Sequence, residues 1–232
     1  MSNTVDAPGQ PEVRITAGSG SITVVGEPRD DVVTDGQGEV SRAHDGAFEV
    51  SPRRRSHSMT VRCPEGASVM VGTRSGSLVL TGPLGTVRAT TMSGSIDVER
   101  AASADLRAMS GTISLGECSG PCRIKTKSGS THVGSAGSVE IHIGSGRVKV
   151  DHVEGSVTVR AVSGSVTLET EGGGPVEVET MSGSVTVVLP AGCKPEVRAK
   201  SLSSRPKIEC EQGHDCTVSV RTMSGRVTVR CR

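Results

Sequence analysis

The densest group of chemically capable side chains is the segment CEQGHDC, where Cys210, His214 and Cys216 fall close together with Glu209 and Asp215 beside them. Thiolate and imidazole are zinc ligands, but a structural zinc takes four of them at recognisable spacings, and this segment has no second Cys pair. It is read as a loop that holds no metal. Cys118 and Cys122 are weaker still, because Cys122 has inward parity, where a small hydrophobe suffices. Basic residues form a second group: Arg107, Lys125, His142 and Arg160 recur at steps of 17 or 18, with Arg123 and Lys127 flanking Lys125. If those steps stack, like charges lie about 4.8 Å apart and repel by about 1 kcal/mol per pair even in water, so the ladder invites an acidic partner. Asp105 and Glu140 fall in the adjoining column, where they are expected to neutralise much of it. A third group, Met92, Met109, Met181 and Met223, reads either as a flexible partner-binding stripe or as local cover for a turn.

Catalysis finds little support. Ser75, Ser93, Ser110, Ser128, Ser145, Ser163, Ser182 and Ser224 each precede a Gly, and a nucleophile does not come in eight copies. His132 and His152 are solitary. No Gly-rich loop opens a helix, so a phosphate cradle lacks its dipole. The aromatic platforms and clustered carboxylates of polysaccharide-cleaving enzymes are missing. A non-enzymatic chain without catalytic residues, metal or cofactor is expected.

Composition narrows the ligands. With no Trp, no Tyr and only Phe48, the chain lacks the rings on which sugars and unpaired bases stack, so carbohydrate is not expected. Net charge is +1 from 26 basic and 25 acidic residues, so no global field draws it to nucleic acid or anionic membrane. The start, MSNTVDAPGQPEV, has neither a basic region nor an apolar run, and no apolar stretch reaches spanning length. Seven cysteines form an odd set without framework spacing, which suits reduced thiols. Together these predict a soluble, cytoplasmic chain.

The positioning elements are legible in a repeat. The theme GSGSITV returns as RSGSLVL, MSGSIDV, MSGTISL, KSGSTHV, GSGRVKV, VSGSVTL, MSGSVTV and MSGRVTV. Its glycines fall at Gly76, Gly94, Gly111, Gly129, Gly146, Gly164 and Gly183, with a last copy at Gly225. With 33 Val, 31 Ser and 30 Gly against 8 Leu, the chain favours short strands and tight turns. A period of 17–18 residues predicts an all-β, single-stranded β-solenoid (β-helix), with two parallel in-register sheets meeting at Ser-Gly corners. Val71, Ala89, Leu106, Ile124, Ile141, Val159, Val178 and Val220 then form one inward column. Leu78, Ile96, Ile113, Thr131, Val148, Val166, Val185 and Val227 form another beyond the corner. Gly supplies the positive φ of each corner, and the Ser hydroxyls are expected to bond turn backbone.

Around this core the expected organisation is a disordered tail over 1–12, an N-terminal coil and cap over 13–68, the regular solenoid over 69–189, and a degenerate coil with a C-terminal coil or cap over 190–232. Within the first cap, GEPRDD, TDGQGE and PRRRSHS read as turns between short strands, and Phe48 as a plug for the open core. Arg221, Arg226, Arg230 and Arg232 read as protection of a terminal edge.

The segments VRCPEGASVMVGTRSGSLVL, TMSGSIDV, TMSGSVTV, VVLPAG and VRTMSGRVTV resemble a bacterial family of Ser-Gly-x-Val β-strand-repeat proteins, labelled adhesin-like or toastrack-type domains. The resemblance implies a non-enzymatic domain, in several members near envelope-stress or membrane-associated systems and often tethered by a membrane segment. No such segment is visible here. The expected function is a structural or protein-interaction scaffold with an unidentified protein partner, or a homo-oligomer built through solenoid ends or faces. The alternative is a binding module for anionic surfaces, phospholipid headgroups or nucleic acid, through Arg107, Arg123, Lys125, Lys127, His142 and Arg160.

Overall fold

Alternating apolar and polar residues with a glycine every 17 or 18 positions can bury one face only by coiling and stacking, and the chain does this. The structure is a computed structural model that describes residues 3–6, 10–35, 38–52 and 58–232. Its strands are β1 (Asn3–Asp6), β2 (Glu12–Ser19), β3 (Ile22–Glu27), β4 (Asp31–Thr34), β5 (Gly38–Arg42), β6 (Phe48–Pro52), β7 (Met59–Pro64) and β8 (Ser68–Ser75). There follow β9 (Leu78–Ser93), β10 (Ile96–Val153), β11 (Val157–Glu169), β12 (Val176–Leu189), β13 (Glu196–Ser201), β14 (Lys207–Glu209), β15 (Thr217–Ser224) and β16 (Val227–Cys231). The long β10 is several coils of extended backbone run together, turning at Gly111, Gly129 and Gly146. The chain is an all-β parallel solenoid, and its contacts divide it into two compact units, Met1–Cys118 and Ser119–Arg232.

In the first unit, β2 and β3 form a coil about Gly20, whose φ is 111°. One side of this coil pairs in parallel with β8 and β9, matching Val13 to Val69, Ile15 to Val71 and Ile22 to Leu78. Its other side pairs with β6 and β7, matching Val13 to Phe48 and Ile22 to Met59. The first coil in sequence is therefore the second in space. Strands β6 and β7 lie outside it, and the antiparallel strands β1, β4 and β5 are added at that end. Phe48 is buried in this outer layer, with the Arg42 guanidinium 5.4 Å from its ring centre. The expected tail over 1–12 is corrected by pairing: Asn3–Asp6 runs antiparallel to β4, and Glu12 already opens β2. Residues 1–2 and 7–9 of that tail, 36–37 of the TDGQGE turn and 53–57 of PRRRSHS lie outside the described residues.

In the second unit, β10, β11 and β12 stack in register, Ile141 beside Val159 and Val159 beside Val178. The C-terminal coil, β15 and β16, stacks directly on β12, with Val178 opposite Val220 and Val185 opposite Val227. The intervening β13 and β14 lie beyond it, paired to β15 and β16. Chain order and spatial order thus differ in this unit as well.

The corners carry two constraints at once. Gly94 and Gly183 have φ of 138° and 131°, which only glycine adopts without strain. A methyl at Gly183 would also run into the carbonyl oxygen of Gly164, because successive corners stack backbone on backbone. The corner serines are all half-exposed or exposed, and the Ser110 hydroxyl donates to the Met92 carbonyl of the preceding coil at 3.4 Å, a bond to turn backbone as expected. At four of the described corners the buried threonine two residues earlier also bonds the turn: Thr73 donates to the Ser75 carbonyl at 3.2 Å, and Thr91, Thr126 and Thr180 donate to Ser93, Ser128 and Ser182 in the same way. The threonine hydroxyl is one bond from a stiff Cβ that already points at the turn, so it meets that carbonyl without extra ordering.

Candidate functional site

On β10 the alternation that buries Ile124 sends Arg123, Lys125 and Lys127 outward. The next coil presents Glu140 and His142, and parallel register then aligns His142 with Arg160, Arg160 with Glu179 and Glu179 with Arg221. These side chains largely satisfy one another. Arg123 Nε donates to Glu140 at 2.8 Å, and His142 Nε2 lies 2.9 Å from the other oxygen of the same carboxylate. Those two bonds, the histidine's first and then the arginine's, hold the Glu140 carboxyl below its ordinary pKa. Arg160 lies 3.4 Å from Glu179, which also takes Arg221 at 3.1 Å. Among the described residues, Lys125 and Lys127 have no carboxylate within ion-pair distance. The basic column of the second unit is therefore a mosaic of paired charges with two free ammonium groups.

Arg107 belongs to the first unit. It grips Asp105 with two parallel bonds, Nε at 3.0 Å and Nη2 at 2.8 Å. Both residues line a groove of about 570 Å³ whose wall also includes Arg14, Met70 and Arg88. Its floor is Gly72, where an added methyl would meet nothing within 4 Å. The one sequence signal for this dip is Gly72 itself, a glycine inside a strand without a turn around it.

Beside the corners runs an apolar stripe. In the second unit Val162, Met181 and Met223 occupy neighbouring strands at 54%, 53% and 54% exposure, because the flanking residues pair as Ser163 with Ser182 and Ser182 with Ser224. In the first unit Met92 and Met109 are neighbours in the same sense. The Val162, Met181 and Met223 side chains are thus about half exposed, with the rest of each resting against the sheet.

Cys210, His214 and Cys216 do not converge. Cys210 is bonded to Cys231, which joins β14 to β16 and corrects the expectation that all seven thiols are reduced. Cys216 instead lies with its sulfur 3.6 Å from that of Cys193. Neither partner lies within CEQGHDC, Cys231 coming from β16 and Cys193 from the connection between β12 and β13, so spacing in that segment could not reveal them. Among the described residues, no three His, Cys, Asp or Glu side chains gather as a metal site requires. Of the solitary histidines, His132 Nε2 lies 2.7 Å from Asp151, which also pairs with Lys149, and His152 faces Glu171. No helix of the described residues is long and apolar enough to cross a membrane.

Residues 9–230 match the family model described as Toastrack DUF4097. Among solved structures, a "putative adhesin" from Bacteroides fragilis NCTC 9343 aligns at 11% identity and a TM-score of 0.47, covering 98% of this chain and 96% of that one. A "putative adhesin" from Parabacteroides distasonis ATCC 8503 aligns at 11% identity and 0.46, covering 100% and 96%. A "putative cell adhesion protein" from Clostridium sporogenes ATCC 15579 aligns at 9% identity and 0.24, covering 100% and 99%. Among curated proteins there is no match.

Proposed function

Because the chain belongs to the Toastrack DUF4097 family, we propose that it is a non-catalytic interaction module whose solenoid face docks another protein. The observation that carries this reading is the stripe of Val162, Met181 and Met223, three apolar side chains about half exposed on adjacent strands. Flexible thioethers on a flat, hydrogen-bonded sheet suit an apolar partner surface, and the paired charges around them set orientation more than affinity. Self-assembly through the ends finds less support. Each end layer is short, charged or antiparallel, as in Glu196, Arg198 and Lys200 of β13, and such edges resist addition of another strand.

A second reading rests on Lys125 and Lys127, which lack carboxylate partners among the described residues and offer the charge that a phospholipid headgroup or nucleic acid needs. Two phosphate contacts give a weak and strongly salt-dependent site.

Size-exclusion chromatography with light scattering at low and high salt tests the end-to-end alternative first, and a monomer at every salt is expected. Capture of a protein partner should then be lost in a Met181→Asp, Met223→Asp variant and retained in a Lys125→Glu, Lys127→Glu variant. Loss in the lysine variant alone, with binding to anionic vesicles that collapses as salt rises, would transfer the function to the second reading.

A further inference from the structure

The four cysteines of the last two coils gather at one place. Cys210 and Cys231 are bonded, the Cys231 sulfur lies 3.3 Å from the Cys193 carbonyl oxygen, and the Cys193 and Cys216 sulfurs lie 3.6 Å apart. We propose that Cys193 and Cys216 are a second redox pair, a dithiol that closes to a disulfide by exchange with a small-molecule disulfide. A second clip would then hold the β13–β14 layer on the C-terminal coil.

The backbone around the two thiols is already in place. The Glu196 amide donates to the Cys216 carbonyl at 2.8 Å, the Asp215 amide to the Lys194 carbonyl at 3.0 Å, and the Gly213 amide to the Pro195 carbonyl at 3.2 Å. The Asp215 carboxylate accepts from the Lys194 amide at 2.9 Å. Two segments zipped in this way leave only side-chain rotation between a 3.6 Å contact and a sulfur–sulfur bond of about 2.05 Å. Gly172, with φ of 79°, covers both sulfurs; even a methyl there would come within 3.6 Å of the Cys193 sulfur and 3.8 Å of the Cys216 sulfur. No bulky side chain from that loop wedges between them.

Exposure sets the order of events. Of the cysteines outside the Cys210–Cys231 disulfide, Cys193 is half-exposed, whereas Cys63, Cys118, Cys122 and Cys216 are buried. The Cys193 thiolate attacks one sulfur of the small disulfide, forming a mixed disulfide and releasing one small thiolate. Cys216 loses its proton to solvent, its sulfur attacks that of Cys193, and the second small thiolate leaves. The net change is one protein dithiol and one small disulfide converted to one protein disulfide and two small thiols. Burial and the neighbouring Cys193 thiol push Cys216 up to about 12, so Cys216 is the poorer first nucleophile of the two. The reverse exchange with excess small thiol reopens the pair. Both clips closed would suit a thiol-oxidising compartment.

The test uses the purified full chain in glutathione buffers from fully reduced to fully oxidised, with alkylation of free thiols and peptide mapping under non-reducing conditions. A Cys193–Cys216 linked peptide is expected in oxidised buffer, with loss of two alkylatable thiols relative to a mildly reduced sample in which Cys210–Cys231 is retained. The Cys216→Ser variant should accumulate glutathione on Cys193 that the wild type does not retain. Oxidised wild type in which Cys193 and Cys216 both remain alkylatable overturns the proposal. So does linkage of Cys193 to Cys210 or Cys231, and a Cys210→Ser, Cys231→Ser variant separates that scrambling from true closure. If Cys216→Ser does not fold, the wild-type peptide map still decides.

Discussion

Gly183 faces two separate demands, and substitutions can tell them apart. Gly46 has a positive φ of 85° with nothing within 4 Å of an added methyl, whereas at Gly183 a similar backbone strain is joined by collision with the Gly164 carbonyl. Gly46→Ala should cost about 1 kcal/mol, and Gly183→Ala about 3 kcal/mol or more, read as the difference in urea unfolding midpoints. Glu140 gives a prediction in pH. Its folded pKa lies below the ordinary 4.5 because His142 and Arg123 bond the carboxylate, so its contribution is complete above that value. That contribution is lost as pH falls through the lower folded value. The group is partly exposed, so the effect should stay under about 1 kcal/mol. Glu140→Gln should flatten that part of the acid limb in a pH series of thermal melts.

An inward column is only as good as its weakest rung. Thr131 sits at 1% exposure in a position that its neighbours in other coils fill with Val, Ile or Leu, and its hydroxyl has no partner among the described residues. Thr131→Val keeps the shape and removes the unsatisfied group, so the variant should be more stable by about 1 kcal/mol, measured as a raised unfolding midpoint. The same columns show what could be read in advance. Corner spacing and alternation are local, so the pairing of Val178 with Val220 was already implied across a gap of more than forty residues. Whether the Thr two residues before a corner also bonds the turn depends on side-chain direction, which alternation alone does not specify. The charged face was half legible: Asp105 and Glu140 were expected beside the basic column and do pair with it. The Gly72 groove was not, because an absent side chain leaves no chemistry to notice. The disulfide joins strands β14 and β16 across a separation of 21 residues. Replacing Cys210 and Cys231 by Ser should therefore lower stability by about 3 kcal/mol, seen as a fall in melting temperature that reducing agent reproduces in the wild type.

At the scale of the whole molecule, each unit hides a terminal coil beneath an outer layer drawn from the interior of the sequence. Coil β2–β3 lies between β6–β7 and β8–β9, and coil β15–β16 lies between β12 and β13–β14. This order was out of reach of the repeat, since the strands that form the outer layers do not carry the Ser-Gly theme. Terminal strands ordinarily fray, but here the amides of β15 and β16 should exchange with deuterium as slowly as those of β11 and β12. Those of β13 and β14 should exchange first. The inverted order also bears on manufacture. A ribosome delivers β13 and β14 before β15 and β16, so stacking can follow synthesis coil by coil only as far as β12. There it must wait with a vacant berth until residues 217–231 emerge and slide into it. A message cut short after β14 would yield a chain whose berth stays empty, with the open edge of β12 marking it as unfinished to any protease or chaperone that tests it.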